Sequence, residues 1–210
     1  MTALLHPGYF LNIAHFAVMA QYEVLWEVCD NYQKQTYRNR SYICTDRGLF
    51  MMNIPIKHIG GAQGKQSYKE VRPDNDYHWQ RQHWRTLQTA YRTSPFFEYY
   101  EDDIAPLFED TFDFLLDFNL KTLQVICDCL QIPMPQNKTT QYELVFTGGL
   151  DARYFINPKQ TLPIQQPEYV QVFGSKHGFI KNVSTLDLLF NEGPTAVHYL
   201  QQLDLSFLHA

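Results

Sequence analysis

The sequence predicts an α/β fold: a β-α-β opening, a mixed sheet flanked by helices, and an irregular C-terminal third, in a single compact domain. Three observations predict it. A short apolar run, Ala3-Leu4-Leu5, is stopped by Pro7-Gly8 and followed by a helical stripe of Ile13, Phe16, Ala17 and Ala20. A second apolar run, Tyr22 to Cys29, comes directly after that helix. Two longer helical patterns, at 76–93 and 111–130, supply material to cover a sheet. Residues 1–135 then form an α/β core carrying the polar site, and 136–210 an extension packed on it.

Each element follows from its residues. Strand, Gly-containing turn, helix and strand in that order favour parallel pairing, because parallel strands need a crossover. The first helix spans Asn12 to Ala20, and its start offers unpaired backbone N–H groups to an anion. Ser41–Thr45 and Leu49–Ile54 flank Asp46-Arg47-Gly48, a hairpin signal. Residues 58–67, with Gly60, Gly61 and Gly64, read as a mobile loop and a candidate lid. Tyr68 to Val71 reads as a short strand.

Asp76 to Thr93 is the clearest helix, with Trp84, Leu87 and Tyr91 on one stripe and Trp79, His83 and Ala90 beside it. Ser94-Pro95 stops it. Asp103 to Phe108 is a short helix at best. Thr111 to Leu130 turns Phe112, Leu115, Leu116, Asn119, Leu123, Ile126 and Leu130 to the core, and Pro133 and Pro135 end it. Tyr142–Thr147 and Tyr169–Phe173 read as strands, with an irregular stretch at 148–167. Ser184-Thr185-Leu186-Asp187 resembles a capping box with Asp in place of Glu, and Gly193-Pro194 closes the helix it opens. A last helix covers Ala196 to Leu203.

The totals exclude several classes. Of 210 residues, 45% are hydrophobic and 19% charged, so the chain can build a core and is not disordered. Net charge is −5, the wrong balance for a general nucleic-acid binder. No stretch is long enough for a membrane span, and Met1 to Leu5 has no basic leader segment. These features predict a cytoplasmic protein whose cysteines, Cys29, Cys44, Cys127 and Cys129, are reduced thiols. Cys127-Asp128-Cys129 has the wrong spacing for zinc, and His78 and His83, five apart, diverge on a helix. No metal and no cofactor are expected. His83 is expected to hydrogen-bond within a half-buried aromatic layer.

The chemistry concentrates in Asn31 to Arg40. These ten residues hold three cations, four side-chain amides, two phenols and no acid. Solvated loops usually mix charge signs; an exposed basic turn is the alternative. Here Lys34 supplies point charge, Arg38 and Arg40 forked donors, and Asn31 and Asn39 orienting amides. Ligands of open α/β sheets gather at the carboxyl ends of strands, which places His6, Tyr9, Asp30 and this run at one rim. His6, Asp30 and Lys34 are the candidate catalytic groups. Tyr9, Asn31, Lys34, Arg38, Asn39 and Arg40 are the candidate substrate- or anion-binding groups. Lys176 and His177 form a second polar spot, read as a solvated turn. Cys29 lies in an apolar run and reads as a small buried hydrophobe.

Read in order, His6-Pro7-Gly8-Tyr9-Phe10, Asp30-Asn31-Tyr32-Gln33-Lys34, Arg38-Asn39-Arg40, Ile54-Pro55-Ile56, His83-Trp84, Ser94-Pro95-Phe96-Phe97 and Leu186 to Gly193 resemble the WbqC-like family. The resemblance implies association with bacterial surface-polysaccharide (O-antigen) gene clusters and transfer of acyl or aminoacyl groups. It implies as partners a small phosphate-bearing donor or a carrier-protein-linked acyl group, and a sugar acceptor. Two alternatives stand beside it. One is a non-catalytic sugar-nucleotide or partner-binding protein that uses Trp79, Trp84 and Tyr9. The other is a Cys29-dependent hydrolase.

Overall fold

In the computed structural model, which describes residues 1–57 and 66–209, β1 (Thr2–Leu5) is the middle strand of a three-stranded parallel sheet. A central strand is covered on both faces, which is why Ala3, Leu4 and Leu5 form an unbroken apolar run. The chain then turns through Pro7-Gly8. Tyr9 N–H donates to the Tyr37 carbonyl at 2.8 Å, and a Cβ on Gly8 would stand 2.7 Å from that same oxygen. Only glycine lets the two segments approach so closely.

Helix α1 (Ile13–Gln21) is buried along almost its whole length, and Asn12 caps it by accepting from His15 N–H at 3.2 Å. It delivers the chain to β2 (Glu23–Trp26), parallel to β1 in the register Thr2↔Glu23 to Leu5↔Trp26. The β-α-β opening is as expected. The hairpin is too: β3 (Arg40–Thr45) and β4 (Gly48–Asn53) pair antiparallel across an Asp46-Arg47 turn, with Gly48 at φ +92°. Parallel and antiparallel pairing lie in two separate sheets.

Helices α2 (Trp79–Tyr91), α3 (Phe97–Ile104) and α4 (Leu115–Leu130) cover these strands. The short α5 (Gly174–His177), α6 (Thr185–Glu192) and α7 (Ala196–Gln202) follow. One cluster of buried apolar side chains runs from Ala3 to Leu205. Asn119 is a polar residue on the core face of α4. Its amide donates to the Arg38 carbonyl at 2.7 Å and to Tyr68 Oη at 2.6 Å, and Tyr68 in turn donates to the Pro7 carbonyl. Both amide hydrogens are used, while the Asn119 Oδ1 is buried with no partner among the described residues.

Several expectations fail. Tyr68–Glu70 is a 3-10 turn, not a strand, since Tyr68 points wholly inward. The helix expected at 103–108 begins earlier, at Phe97, and only its last turn, Ala105–Phe108, is 3-10. Tyr142–Thr147 and Tyr169–Phe173 form no strands. Their apolar side chains Leu144, Val145 and Val170 face solvent, so no sheet face rewards the alternation. The strand of this region is β5 (Gly149–Asp151), inside the stretch expected to be irregular, and it pairs parallel with β1. The predicted lid residues 58–65 lie outside the described residues.

At α6, Ser184 Oγ accepts from Leu186 N–H, but Asp187 does not return to the cap. Its carboxylate accepts from Tyr91 Oη and Tyr169 Oη, both at 2.7 Å, and from Gln171 at 3.0 Å. Burial raises the pKa of Asp187 in spite of those three bonds.

Candidate functional site

The three parallel strands end at one edge, and that edge carries the polar cluster. His6 follows β1, Glu27 follows β2, and Asp151 ends β5 with Arg153 two residues on. Asp30 and Arg38 reach the same place from the 30–40 segment. Arg38 is completely buried and donates through Nη2 to Asp30 Oδ2 at 2.7 Å. The same nitrogen lies 3.1 Å from both ring nitrogens of His6.

Partner chemistry fixes the imidazole tautomer. His6 Nδ1 lies 3.3 Å from the Glu27 carbonyl, which can only accept, so Nδ1 carries the hydrogen. Nε2 is then a lone pair facing Arg38 Nη2, with Asp30 Oδ2 at 3.4 Å. The two Nη2 hydrogens serve Asp30 and His6. Burial, and next the Arg38 guanidinium, hold His6 well below the ordinary imidazole range, so it is neutral at pH 7. Burial also lowers Arg38, against the pull of Tyr68 and Asp30. Among the described residues its Nε and Nη1 have no hydrogen-bond partner, and Tyr68 offers its ring face 5.3 Å away.

Two clefts flank this cluster. One, of about 440 Å³, is lined by His6, Asp30, Gln33, Tyr142, Asp151 and Arg153, and continues to Tyr154, Asn157 and Gln160. The other, of about 360 Å³, is lined by Lys34, Asn39, Arg40 and Lys57 with Tyr32 and Asn53, among others. Gln33 faces the first cleft while Lys34 and Gln35 face the second, so residues 33–35 are the ridge between them. Gln35 turns that ridge at φ +64°, a left-handed conformation uncommon outside glycine. Among the described residues the second cleft is lined by three cations and no acid. Asn39 donates to Asn53 Oδ1 and the Ile54 carbonyl, and its own Oδ1 is buried with no partner among the described residues. Tyr32 stands near both arginines: burial raises its pKa, and Arg38 and Arg40 oppose the rise.

The structure therefore brings His6, Asp30 and Arg38 together and puts Lys34, Asn39 and Arg40 across the ridge. Asn31 is exposed, takes its N–H bond to Asp30 Oδ1, and lines neither cleft. Tyr9 lines neither cleft either. It is fully buried, with Oη 2.8 Å from His83 Nδ1, in a layer with Trp79 and Phe118. Trp79 is buried as well, and Trp84 packs on Phe97 and Phe108, so these rings build the core.

The helix start at Asn12 is closed to an anion. Val183 O, Asn182 Oδ1 and Asn12 Oδ1 take the N–H groups of residues 13 to 15. Cys29 Sγ contacts Thr139 O and Lys69 Nζ and lines neither cleft. His177 contacts the Asp46 carbonyl, and Lys176 lies 3.9 Å from the Asp46 carboxylate, beside the hairpin turn. A larger depression of about 650 Å³ lies there, lined by Arg47, Phe50, Arg85 and Phe173 among others. It is far poorer in buried titratable groups than the strand edge.

Sequence reasoning missed Glu27, Lys57, Tyr142, Asp151 and Arg153. Glu27, an acid directly after an apolar run, was a usable signal. So was Asp151-x-Arg153 after Gly148-Gly149. Among the described residues no group of His, Cys, Asp or Glu is placed to hold a metal, and no helix is long and apolar enough to cross a membrane. All four cysteines are free.

Comparison with known proteins identifies one family. Residues 6–157 match the WbqC-like protein family. The chain is also 28% identical over 223 residues to the uncharacterized protein Rv1507c of Mycobacterium tuberculosis, with 92% of each chain covered. No solved structure matches it.

Proposed function

The chain belongs to the WbqC-like protein family, and from that premise and the site geometry we propose that it transfers a small acyl or aminoacyl group from a phosphate-bearing or carrier-linked donor to a sugar acceptor. Lys34, Arg40 and Lys57 hold the donor's phosphate. A cleft whose described residues include three cations and no acid suits an anion and disfavours a cation or a neutral apolar group. The acceptor lies in the neighbouring cleft, where the Asp30 carboxylate takes its proton as the acceptor oxygen or nitrogen bonds to the acyl carbon, since both His6 ring nitrogens are already engaged. The bond from acyl carbon to the donor's oxygen or sulfur breaks, and the departing group stays with the cations. Arg38, 2.7 Å from Asp30 Oδ2, holds that carboxylate in place, and neutral His6 braces the same guanidinium nitrogen. Arg38 is the fixed spacer between these groups.

The observation that carries this reading is the shared ridge. One short segment, 33–35, separates a cationic cleft from one containing the Asp30 carboxylate. A transferase needs that arrangement, two sites meeting at a reactive boundary. Membership of this family supports the surface-polysaccharide setting. The test incubates the protein with acyl phosphates, aminoacyl adenylates and acyl thioesters, each with sugar acceptors, and follows product by mass spectrometry. Turnover should fall about a hundredfold or more in a Lys34→Ala/Arg40→Ala variant whose melting temperature is unchanged. Thermal stabilisation by nucleotide sugars with no product in any combination would replace this reading by a binding protein.

A further inference from the structure

The two clefts differ in charge, and the difference assigns the ligand of the first. Its cations are all committed. Arg153 Nε and Nη2 donate to Asp151 at 2.9 and 2.6 Å, while Nη1 and Nη2 also donate to the Glu143 and Leu144 carbonyls. Arg38 does not line the cleft: its Nη2 is engaged by Asp30 and His6, and its remaining nitrogens are buried out of reach of solvent. With both guanidiniums balanced by carboxylates, nothing remains to draw in an anion, and Asp30 and Asp151 repel one.

What the cleft does present is aromatic faces and amides. Tyr142 is half exposed, and the Arg153 guanidinium stacks on its ring at 5.2 Å, holding it from one side. Tyr154 is 40% exposed and braced edge-on against buried Phe155 at 5.0 Å. Both rings line the cleft whose inner end is His6 and Asp30. The Gln33 and Gln160 amides also line it, and among the described residues they make no hydrogen bond within the chain. Arg153 is thus a scaffold that keeps an aromatic platform and a carboxylate at fixed positions. Rings with electron-rich faces attract the slightly positive C–H face of a pyranose, and carboxylates and amides bind its hydroxyls.

We propose that this cleft is a subsite for an uncharged pyranose. The sugar packs on Tyr142 and Tyr154, bonds Asp151 and Gln160 through its hydroxyls, and directs one hydroxyl or amine toward Asp30. The assignment rests on the transferase reading for its place in a reaction. Its test contains no donor, so it stands or falls separately from turnover.

Saturation-transfer NMR on the full chain, with methyl glycosides of neutral hexoses and deoxyhexoses, reads the subsite directly. At least one glycoside should receive saturation, and its affinity should drop about tenfold in Tyr142→Ala and in Tyr154→Ala. Tyr142→Phe should keep the affinity, and so should Lys34→Ala. Both tyrosines are exposed, so the variants keep the wild-type melting temperature to within the small effects of surface substitution. The proposal is overturned if no neutral glycoside binds the folded wild type. It is equally overturned if binding survives in the Tyr142→Ala/Tyr154→Ala variant, or if a methyl uronide, adenosine or uridine binds in preference.

Discussion

Acid should destabilise this protein through histidines that the fold keeps neutral. Burial lowers His15 to about 3 and His83 to about 4. His15 shows why. Its Nδ1 donates to Asn12 Oδ1 at 2.6 Å, and its Nε2 is buried with no partner, so a proton there would be an unpaired charge in the core. In the unfolded chain each group ionises near pH 6.5. Below that value the unfolded state binds a proton that the native state refuses. Stability is therefore intact above about pH 6.5 and is lost as pH falls toward the native values. At about pH 5 the unfolded state gains RT ln(1 + 10^1.5), or about 2 kcal/mol, for each histidine. The pair then accounts for about 4 kcal/mol, or roughly 8–16 °C in melting temperature for a chain of this size. His6 acts in the same sense, and Asp187, whose pKa burial raises, acts in the opposite one. A difference measurement isolates the effect. Urea unfolding of wild type and of His83→Gln at about pH 7.5 and about pH 5 should show wild type losing about 2 kcal/mol more. Equal losses, within about 0.5 kcal/mol, would refute the reasoning.

Three other outcomes follow from the geometry. Arg38→Ala leaves Asp30 facing an empty buried site and should cost about 3–5 kcal/mol in chemical denaturation. Arg38→Lys should not restore this, since an ammonium cannot reproduce the guanidinium's fixed fork. Gly149→Ala would drive a methyl group into the Thr2 carbonyl where β5 pairs with β1. It should cost about 1–3 kcal/mol by thermal melting. Alkylating Cys29 should leave turnover unchanged, because the thiol lines neither cleft; loss of turnover would restore the hydrolase alternative.

The opening of the fold was legible because its signals are local. Ala3-Leu4-Leu5, the Pro7-Gly8 stop and the stripe from Ile13 each act within a few residues. The same holds for Asp46-Arg47-Gly48. The basic decapeptide was legible as unusual chemistry, but not its division. A left-handed Gln35 followed by the buried Thr36 to Asn39 sends Arg38 inward to His6 while Lys34 and Arg40 face the other cleft. No pattern in the ten letters encodes that twist. Strand β5 was illegible for another reason. Three residues carry no periodicity, and their partner lies at the other end of the sequence. Asp151, Arg153 and Tyr142 were missed with it. The false strands at 142–147 and 169–173 show the reverse error, since alternation without a sheet to join yields only exposed Leu144 and Val170.

The placement of β1 between β2 and β5 has a consequence for biosynthesis. Its second neighbour emerges roughly 150 residues after it, a delay of roughly 8–30 s at ordinary translation speeds. Through that interval the nascent chain carries an open, apolar strand edge, an invitation to aggregate that a chaperone or prompt helix docking must counter. The Asp151–Arg153 wall is consequently the last part of the molecule's polar edge to be installed.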